Sequence, residues 1–224
     1  MIPGPLRPER DERMTVSAAS PAGAQDPGPA LVSEPARILL VSGSTRAGST
    51  NTAALRTLRA LAAPPVTAVL YDEMAGLPAF NPDDDQDPLP PAVARLRQQI
   101  TAADAIVFCT PEYAGGLPGS FKNLLDWTVG GGEIYRKPVA WINVAAAGRG
   151  DGAEQSLASV LGYVGAVPVE PACRRITIAR GAVGTDGLVD DAQFRSAATE
   201  VLRAVLDHVS AGRAGPEPRP AGRS

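Results

Sequence analysis

Short apolar runs alternate along the chain with stretches whose apolar residues recur at helical spacing. The runs predict buried strands, and the stretches between them predict amphipathic helices. The predicted strands are residues 37–41, 66–71, 104–109, 138–144 and a run between 167 and 178. The predicted helices are residues 52–61, 90–100, 117–127, 152–163 and 190–209. This alternation predicts an α/β fold, with a five-stranded parallel sheet and helices on both faces.

Both ends of the 224-residue chain lack this periodicity. They are rich in proline and carry scattered charges, a composition that cannot bury enough apolar surface to fold. We therefore expect a disordered N-terminal tail over residues 1–34 and a disordered C-terminal tail over 211–224. One folded domain should span residues 35–210.

Residues 43–51 connect the first predicted strand to the first predicted helix. A helix in this position presents the free N–H groups of its first turn, which bind anions. Further donors come from Ser44, Thr45, Arg46, Ser49, Thr50 and Asn51. The loop lacks the Gly-Lys-Ser/Thr ending of a P-loop and the glycine spacing of a dinucleotide-binding turn. It favours a terminal monophosphate such as that of FMN, although an ordinary Ser/Thr-rich turn with a helix cap has the same composition.

The loops after the first, third and fourth strands have the unusual sequences of the chain, at residues 43–51, 110–116 and 145–152. Ligands of open parallel sheets bind beyond the carboxyl ends of the strands, where the strand order reverses. We therefore expect these three loops to converge on one site.

Composition narrows the possible chemistry. The net charge of −3 and the absence of a Lys/Arg stripe argue against nucleic-acid binding. Cys109 and Cys173 have neither disulfide nor metal-site spacing, and the aspartates 83–85 are interpreted as a solvated loop. The single histidine, His208, is remote from every motif, which argues against a Ser/His/Asp or Cys/His catalytic set. Neither a membrane span nor a secretion signal is visible, so we expect a cytoplasmic protein.

The segment after the third strand, residues 110–127, reads TPEYAGGLPGSFKNLLDW. Together with residues 43–51, GSTRAGSTN, it resembles the NAD(P)H-dependent FMN reductase family. The family pattern runs Pro-Glu-Tyr-Asn, Pro-Gly, Leu-Lys-Asn and Asp-Trp. The similarity covers about residues 36–208 and implies a flavodoxin-like three-layer sandwich.

The resemblance implies that FMN binds at the three loops, with its ring against the segment after the third strand. The ring-binding residues that it implies are Pro111, Glu112, Tyr113, Ala114, Gly115 and Gly148. Glu112 has a second interpretation as a solvent-facing carboxylate, and Gly148 as part of a flexible turn. Ala114 stands where the family usually has Asn, and residues 145–148 replace a loop that often contains Ser. We therefore expect fewer side-chain hydrogen bonds to the flavin here.

The resemblance further implies an enzyme whose cofactor carries the reaction, so that no side chain is assigned as catalytic. Hydride would pass from NADPH or NADH to FMN N5. A quinone, azo compound, metal oxyanion or free flavin would then take the electrons, in ping-pong order. One alternative is a flavodoxin-like electron carrier, although such carriers are generally strongly acidic and the net charge here is only −3. The other is a reductase that supplies reduced flavin to a monooxygenase.

Two expectations concern assembly and coenzyme choice. Trp127, Tyr135 and the glycine-rich residues 129–132 favour a homodimer or homotetramer, because aromatic residues are enriched at interfaces. For Trp127 and its helix neighbours Lys122, Asn123 and Asp126, the open interpretations are packing, helix pairing or a subunit contact. NADPH is favoured over NADH by the arginines near the candidate loops, which are Arg46, Arg136 and Arg149.

Overall fold

The structure, a computed structural model, describes residues 1, 35–179 and 181–214. The described residues from 35 onward belong to one compact unit. The tail predicted over 1–34 lies outside the described residues except at its first residue. Residues 211–214 of the other predicted tail continue the last helix, and the rest of that tail is outside the described residues.

Six parallel strands form one sheet. They are β1 (Ala36–Ser42), β2 (Val66–Tyr71), β3 (Ala105–Cys109), β4 (Pro138–Asn143), β5 (Val167–Pro168) and β6 (Arg174–Arg175). The predicted fifth strand is thus two short ones, separated by a 3-10 turn over Glu170–Ala172. Pro168 and Pro171 explain the break, because proline has no N–H to donate to a neighbouring strand.

Helices cover both faces of the sheet. They are α1 (Thr50–Leu61), α2 (Pro91–Thr101), α3 (Gly119–Asp126), α4 (Asp151–Tyr163) and α5 (Ala192–Ala214). Ile38 and Leu40 of β1 point into the core under α1 and α5, whereas Leu39 and Val41 point into the core under α2, α3 and α4. The central strand is therefore buried on both sides, as its continuous apolar run predicts.

The strand order is β2-β1-β3-β4-β5, with β6 paired to the carboxyl end of β4. This is the order of flavodoxin-like sheets, so the predicted α/β fold is confirmed. The connections from β1 and β3 leave in opposite directions, and Ser42 at the end of β1 pairs with Cys109 at the end of β3. The crevice for a ligand is expected at these two strand ends.

Trp127 and Asn123 are packing residues. Trp127 is fully buried, donates from Nε1 to the Pro78 carbonyl oxygen at 2.9 Å and packs edge-on against Phe80. Asn123 accepts from the Phe80 N–H at 2.7 Å and donates to the same Pro78 oxygen at 2.8 Å. Both side chains attach the loop after β2 to α3. Trp127 therefore cannot be the subunit contact that the sequence suggested.

Arg97 on α2 is a buried cation held by two carboxylates. Its guanidinium lies 2.5 Å from Asp85 Oδ1 and 3.7 Å from Glu133 Oε1, and it donates to the Trp127 carbonyl oxygen at 2.9 Å. Asp85 is the last residue of the predicted solvated aspartate run. That prediction is wrong for Asp85, because its charge is neutralised inside the protein.

Candidate functional site

A cleft of about 810 Å³ lies at the carboxyl ends of the central strands. Its walls come from four connections, those that follow β1, β3, β4 and β6. From the first two come Arg46, Gly48, Thr50, Asn51, Thr110, Pro111 and Glu112. From the other two come Val144, Ala145, Ala146, Arg149, Gly150, Ile178, Ala179, Gly181 and Val183. The three loops singled out in the sequence therefore meet at one cleft.

The first turn of α1 faces this cleft with unused donors. Ser49 is buried and caps the helix, its Oγ accepting from the Thr52 N–H at 3.4 Å. The N–H groups of Thr50 and Asn51 have no hydrogen-bond acceptor among the described residues. An anion in the cleft can therefore receive two backbone hydrogen bonds at the positive end of a helix.

Of the hydroxyls predicted in the first loop, only Thr50 lines the cleft. The Ser44 Oγ accepts from the Arg46 N–H at 3.3 Å, and neither Ser44 nor Thr45 is among the lining residues. Ser49 serves as the helix cap and is also outside the lining. The anion site therefore depends more on backbone N–H groups and Arg46 than the sequence suggested.

Arg46 is exposed and lies at the cleft, where its guanidinium donates to the Gly48 carbonyl oxygen at 3.1 Å. Arg149 lines the cleft from the loop after β4. Within the described part of the chain, no carboxylate pairs with either guanidinium. Two cations thus remain available to an anionic ligand. Arg136 lies at the amino end of β4, where its N–H donates to Gly165, and it is not part of the cleft.

The ends of β1 and β3 approach each other closely. The Gly43 N–H donates to the Cys109 carbonyl oxygen at 2.9 Å, and a Cβ at position 43 would overlap the Thr110 side chain. The Cys109 thiol is fully buried and donates to Asn51 Oδ1 at 3.3 Å. Burial raises the pKa of this thiol, so it stays protonated and has the core role predicted for it.

Residues 113–116 form a tight turn beside the cleft. The N–H of Tyr113 donates to the carbonyl oxygen of Gly116 at 3.0 Å, and the reciprocal bond is 3.1 Å. Both central residues have positive φ, 50° at Ala114 and 76° at Gly115. Tyr113, Ala114 and Gly115 lie in this turn and not in the cleft lining, whereas the preceding Pro111 and Glu112 do line it.

Ala114→Asn is expected to raise the free energy of unfolding by about 0.5–1 kcal/mol, because the left-handed conformation is costly for alanine and readily adopted by asparagine. Urea denaturation followed by circular dichroism measures the change. Ala114→Val is the matched comparison, since a β-branched residue should lower stability at the same position. Equal stabilities of the three proteins would contradict the assigned turn.

The Glu112 carboxylate does not point into solvent. Its Oε2 accepts from the N–H groups of Gly152 at 2.8 Å and Ala153 at 3.2 Å, in the first turn of α4. The solvent-facing alternative for this residue is therefore wrong. Glu112 joins the loop after β3 to the helix that follows β4.

The loop after β4 is held by side chains at the ends of β4 and β6. Asn143 donates to the Gly150 carbonyl oxygen at 3.2 Å and to Glu154 Oε2 at 2.8 Å, and Arg175 donates to the Arg149 carbonyl oxygen at 2.8 Å. Burial alone would raise the pKa of Glu154. Hydrogen bonds from Asn143, Trp141 and Arg175, with the Arg175 charge, hold that pKa below its ordinary value. The carboxylate therefore stays ionised at neutral pH and fixes the loop.

Gly148 and Gly150 flank Arg149, and both have positive φ, at 75° and 86°. Arg149 and Gly150 line the cleft, and Gly148 does not. Glycine is needed at 150 for a second reason, since a Cβ there would lie 2.7 Å from Asn143 Oδ1.

The sequence patterns did not predict the cleft residues that follow β6, which are Ile178, Ala179, Gly181 and Val183. Their composition is ordinary and matches no motif. The available signal was positional, because they come after the carboxyl end of a parallel strand, as the other three loops do.

Two absences hold for the described residues. No helix among them is long and apolar enough to cross a membrane. Residues 1, 35–179 and 181–214 also contain no group of three or more His, Cys, Asp or Glu side chains that could hold a metal ion.

Comparison with known proteins gives a family and several relatives. The sequence model of the family described as NADPH-dependent FMN reductase matches residues 36–177. An NAD(P)H-dependent FMN reductase of Pseudomonas aeruginosa is 34% identical over 177 residues, which are 78% of this chain and 95% of that protein. An NADPH azoreductase of a Bacillus species is 36% identical over 123 residues, covering 52% of this chain and 67% of the relative.

A solved structure is also similar. The flavoenzyme FerB of Paracoccus denitrificans, an NAD(P)H:(acceptor) oxidoreductase, superimposes with a TM-score of 0.69 at 28% sequence identity. The match covers 79% of this chain and 98% of FerB.

Proposed function

The chain belongs to the NADPH-dependent FMN reductase family, and from this premise we propose that its cleft holds FMN and that the protein is an NAD(P)H-dependent oxidoreductase. The observation that carries the proposal is the donor set of the cleft. Free N–H groups at the start of α1 and two arginines without carboxylate partners among the described residues border a volume of about 810 Å³. Small-molecule sites typically occupy roughly 300–1,000 Å³.

The residues present fit this cofactor. The N–H groups of Thr50 and Asn51, with the Arg46 guanidinium, would hold the phosphate at the positive end of α1. Pro111 and Glu112 would border the flavin ring from the loop after β3. The loop after β4 would also border the ring, through its lining residues Ala145, Ala146 and Gly150.

Bound FMN would supply two-electron redox chemistry between NAD(P)H and an acceptor. With a quinone, the balance is NAD(P)H, quinone and one proton giving NAD(P)⁺ and hydroquinone. The contribution of the chain is to bind and orient. The Cys109 thiol is buried and protonated, and His208 lies outside the cleft lining, so neither acts on the substrates.

The coenzyme and acceptor are proposed from the same cleft. Arg149 offers a cation to the 2′-phosphate of NADPH once Arg46 is engaged by the FMN phosphate, which favours NADPH over NADH. Arg136 does not support this preference. The electron acceptor is a small molecule, of the quinone, azo, metal oxyanion or free-flavin class.

Steady-state kinetics test the proposal. NAD(P)H and a quinone would use the same open cleft in turn, so double-reciprocal plots for NADPH at several fixed quinone concentrations should give parallel lines. Purified protein should bind FMN more tightly than riboflavin, measured by quenching of flavin fluorescence.

Intersecting lines would contradict the shared cleft, because they require both substrates to be bound together. Equal affinity for FMN and riboflavin would remove the basis for the phosphate site at α1. Negligible turnover with a stable one-electron state of the flavin would instead support an electron carrier.

The proposed assembly is a homodimer or homotetramer, and the proposed location is the cytoplasm. With Trp127 buried, the support for assembly comes from Tyr135, a residue that is 65% exposed, and from the exposed Val129 near it in sequence. Aromatic side chains of this kind are enriched at subunit interfaces.

A further inference from the structure

The N–H groups in the first turn of α4 are capped by a side chain that is distant in the sequence. The residue before the helix is Gly150, which has no side chain to accept from the N–H groups of that turn. The Asp151 carboxylate is paired with Arg175. Among the described residues, Glu112 is the side chain that accepts from the N–H groups of Gly152 and Ala153. These are the two groups that an ordinary helix cap satisfies.

A second contact joins the same two segments. A Cβ at position 152 would clash with the carbonyl oxygen of Gly115 and would lie 3.2 Å from Glu112 Oε2. The turn over residues 113–116 therefore sits directly on the start of α4, and only glycine allows this approach. The Glu112 carboxylate and the contact of Gly115 with Gly152 together hold the loops after β3 and β4 as one unit.

This unit forms much of the cleft. Pro111 and Glu112 line it from the first loop, and Ala145, Arg149 and Gly150 line it from the second. Glu112 and Gly152 are 40 positions apart in the sequence, so no local turn of the chain brings these two residues together. A negative charge at a helix N-terminus also interacts favourably with the helix dipole.

We propose that Glu112 is a positioning residue, whose carboxylate fixes the loops after β3 and β4 in the arrangement that receives the flavin ring. It does so by bonding to α4 and not to the flavin. This inference rests on the proposed function, because it assigns the ring to these two loops. A preorganised site binds more tightly, since its loops need no ordering when the ligand arrives.

The alternative is a cap that only stabilises the fold, and Asp191 provides the matched control. Asp191 precedes α5, and its Oδ1 accepts from the Phe194 N–H at 2.8 Å. It is not among the residues of the cleft. Glu112→Ala and Asp191→Ala each remove one capping carboxylate, so their costs in unfolding free energy should be similar.

The experiment measures FMN and riboflavin dissociation constants by fluorescence quenching, together with urea unfolding, for the wild type and the variants. Glu112→Ala should raise both dissociation constants about tenfold and leave their ratio unchanged, because the phosphate site at α1 is untouched. Asp191→Ala should leave both constants unchanged. Glu112→Gln should recover most of the affinity, because its amide oxygen can accept from the same N–H groups.

Unchanged flavin affinity in Glu112→Ala, or an equal loss in Asp191→Ala, would overturn the positioning role while leaving the proposed function intact. Wild-type protein that binds neither flavin would overturn the proposed function first. If Glu112→Ala does not fold, Gly152→Ala takes its place. It displaces the turn from α4 and should raise both dissociation constants, and unchanged constants would overturn the proposal.

Discussion

Arg46→Ala is expected to raise the FMN dissociation constant about ten- to a hundredfold and to leave the riboflavin constant unchanged. A hydrogen bond to a charged group contributes about 1.5–3 kcal/mol, and each tenfold in affinity is about 1.4 kcal/mol. Arg46 is exposed and its guanidinium bonds only to the Gly48 carbonyl oxygen among described residues, so folding should not change. Fluorescence quenching with the two flavins measures the difference.

Arg59→Ala is the control for charge. Arg59 is exposed in the last turn of α1, at the opposite end of the helix from the cleft, and the variant has the same net charge as Arg46→Ala. Its FMN affinity should equal that of the wild type. If both variants lose affinity equally, the effect is one of overall charge and the assignment of Arg46 to the phosphate is contradicted.

Features encoded in contiguous residues could be predicted from the sequence. The apolar run of β1, the polar residues 43–51 and the start of α1 are neighbours in the chain, so their pattern predicts the strand, turn and helix directly. The topology of parallel sheets then brings the loops after β1, β3 and β4 to one edge. These two steps were sufficient to locate the cleft.

Features that depend on distant partners could not be predicted. The pairing of Glu112 with Gly152 joins residues that share no local pattern. The glycines at 130 and 131 belong to the glycine-rich residues 129–132, whose sequence favours a homodimer or homotetramer. In the structure, a Cβ at 130 would overlap the Asp85 carboxylate, and one at 131 would overlap that of Glu133. The small size of these glycines leaves room for the carboxylates that pair with Arg97. The residues of this ion cluster come from separate segments of the sequence, so no local pattern predicts it.

Arg97→Ala is expected to lower the free energy of unfolding by about 3–5 kcal/mol, which is the cost of removing one partner from a buried ion pair. The Arg97, Asp85 and Glu133 side chains are only 11%, 10% and 16% exposed. Without the guanidinium, two carboxylates would remain close together and poorly solvated. Glu133 Oε2 already lacks a hydrogen-bond partner in the part of the chain that the structure describes. Urea denaturation followed by circular dichroism measures the loss.

Arg95→Ala is the matched control, two positions away on the same helix. Arg95 pairs with Glu73 at 2.7 Å, but its side chain is 53% exposed, and exposed ion pairs contribute less than about 1 kcal/mol. The two variants remove the same side chain from α2 and differ in burial and in the number of carboxylates left unpaired. A large loss in Arg97→Ala with a small loss in Arg95→Ala would therefore assign the effect to the buried cluster. Similar small losses in both would mean that solvent reaches Asp85 and Glu133, and that the aspartate run is solvated after all.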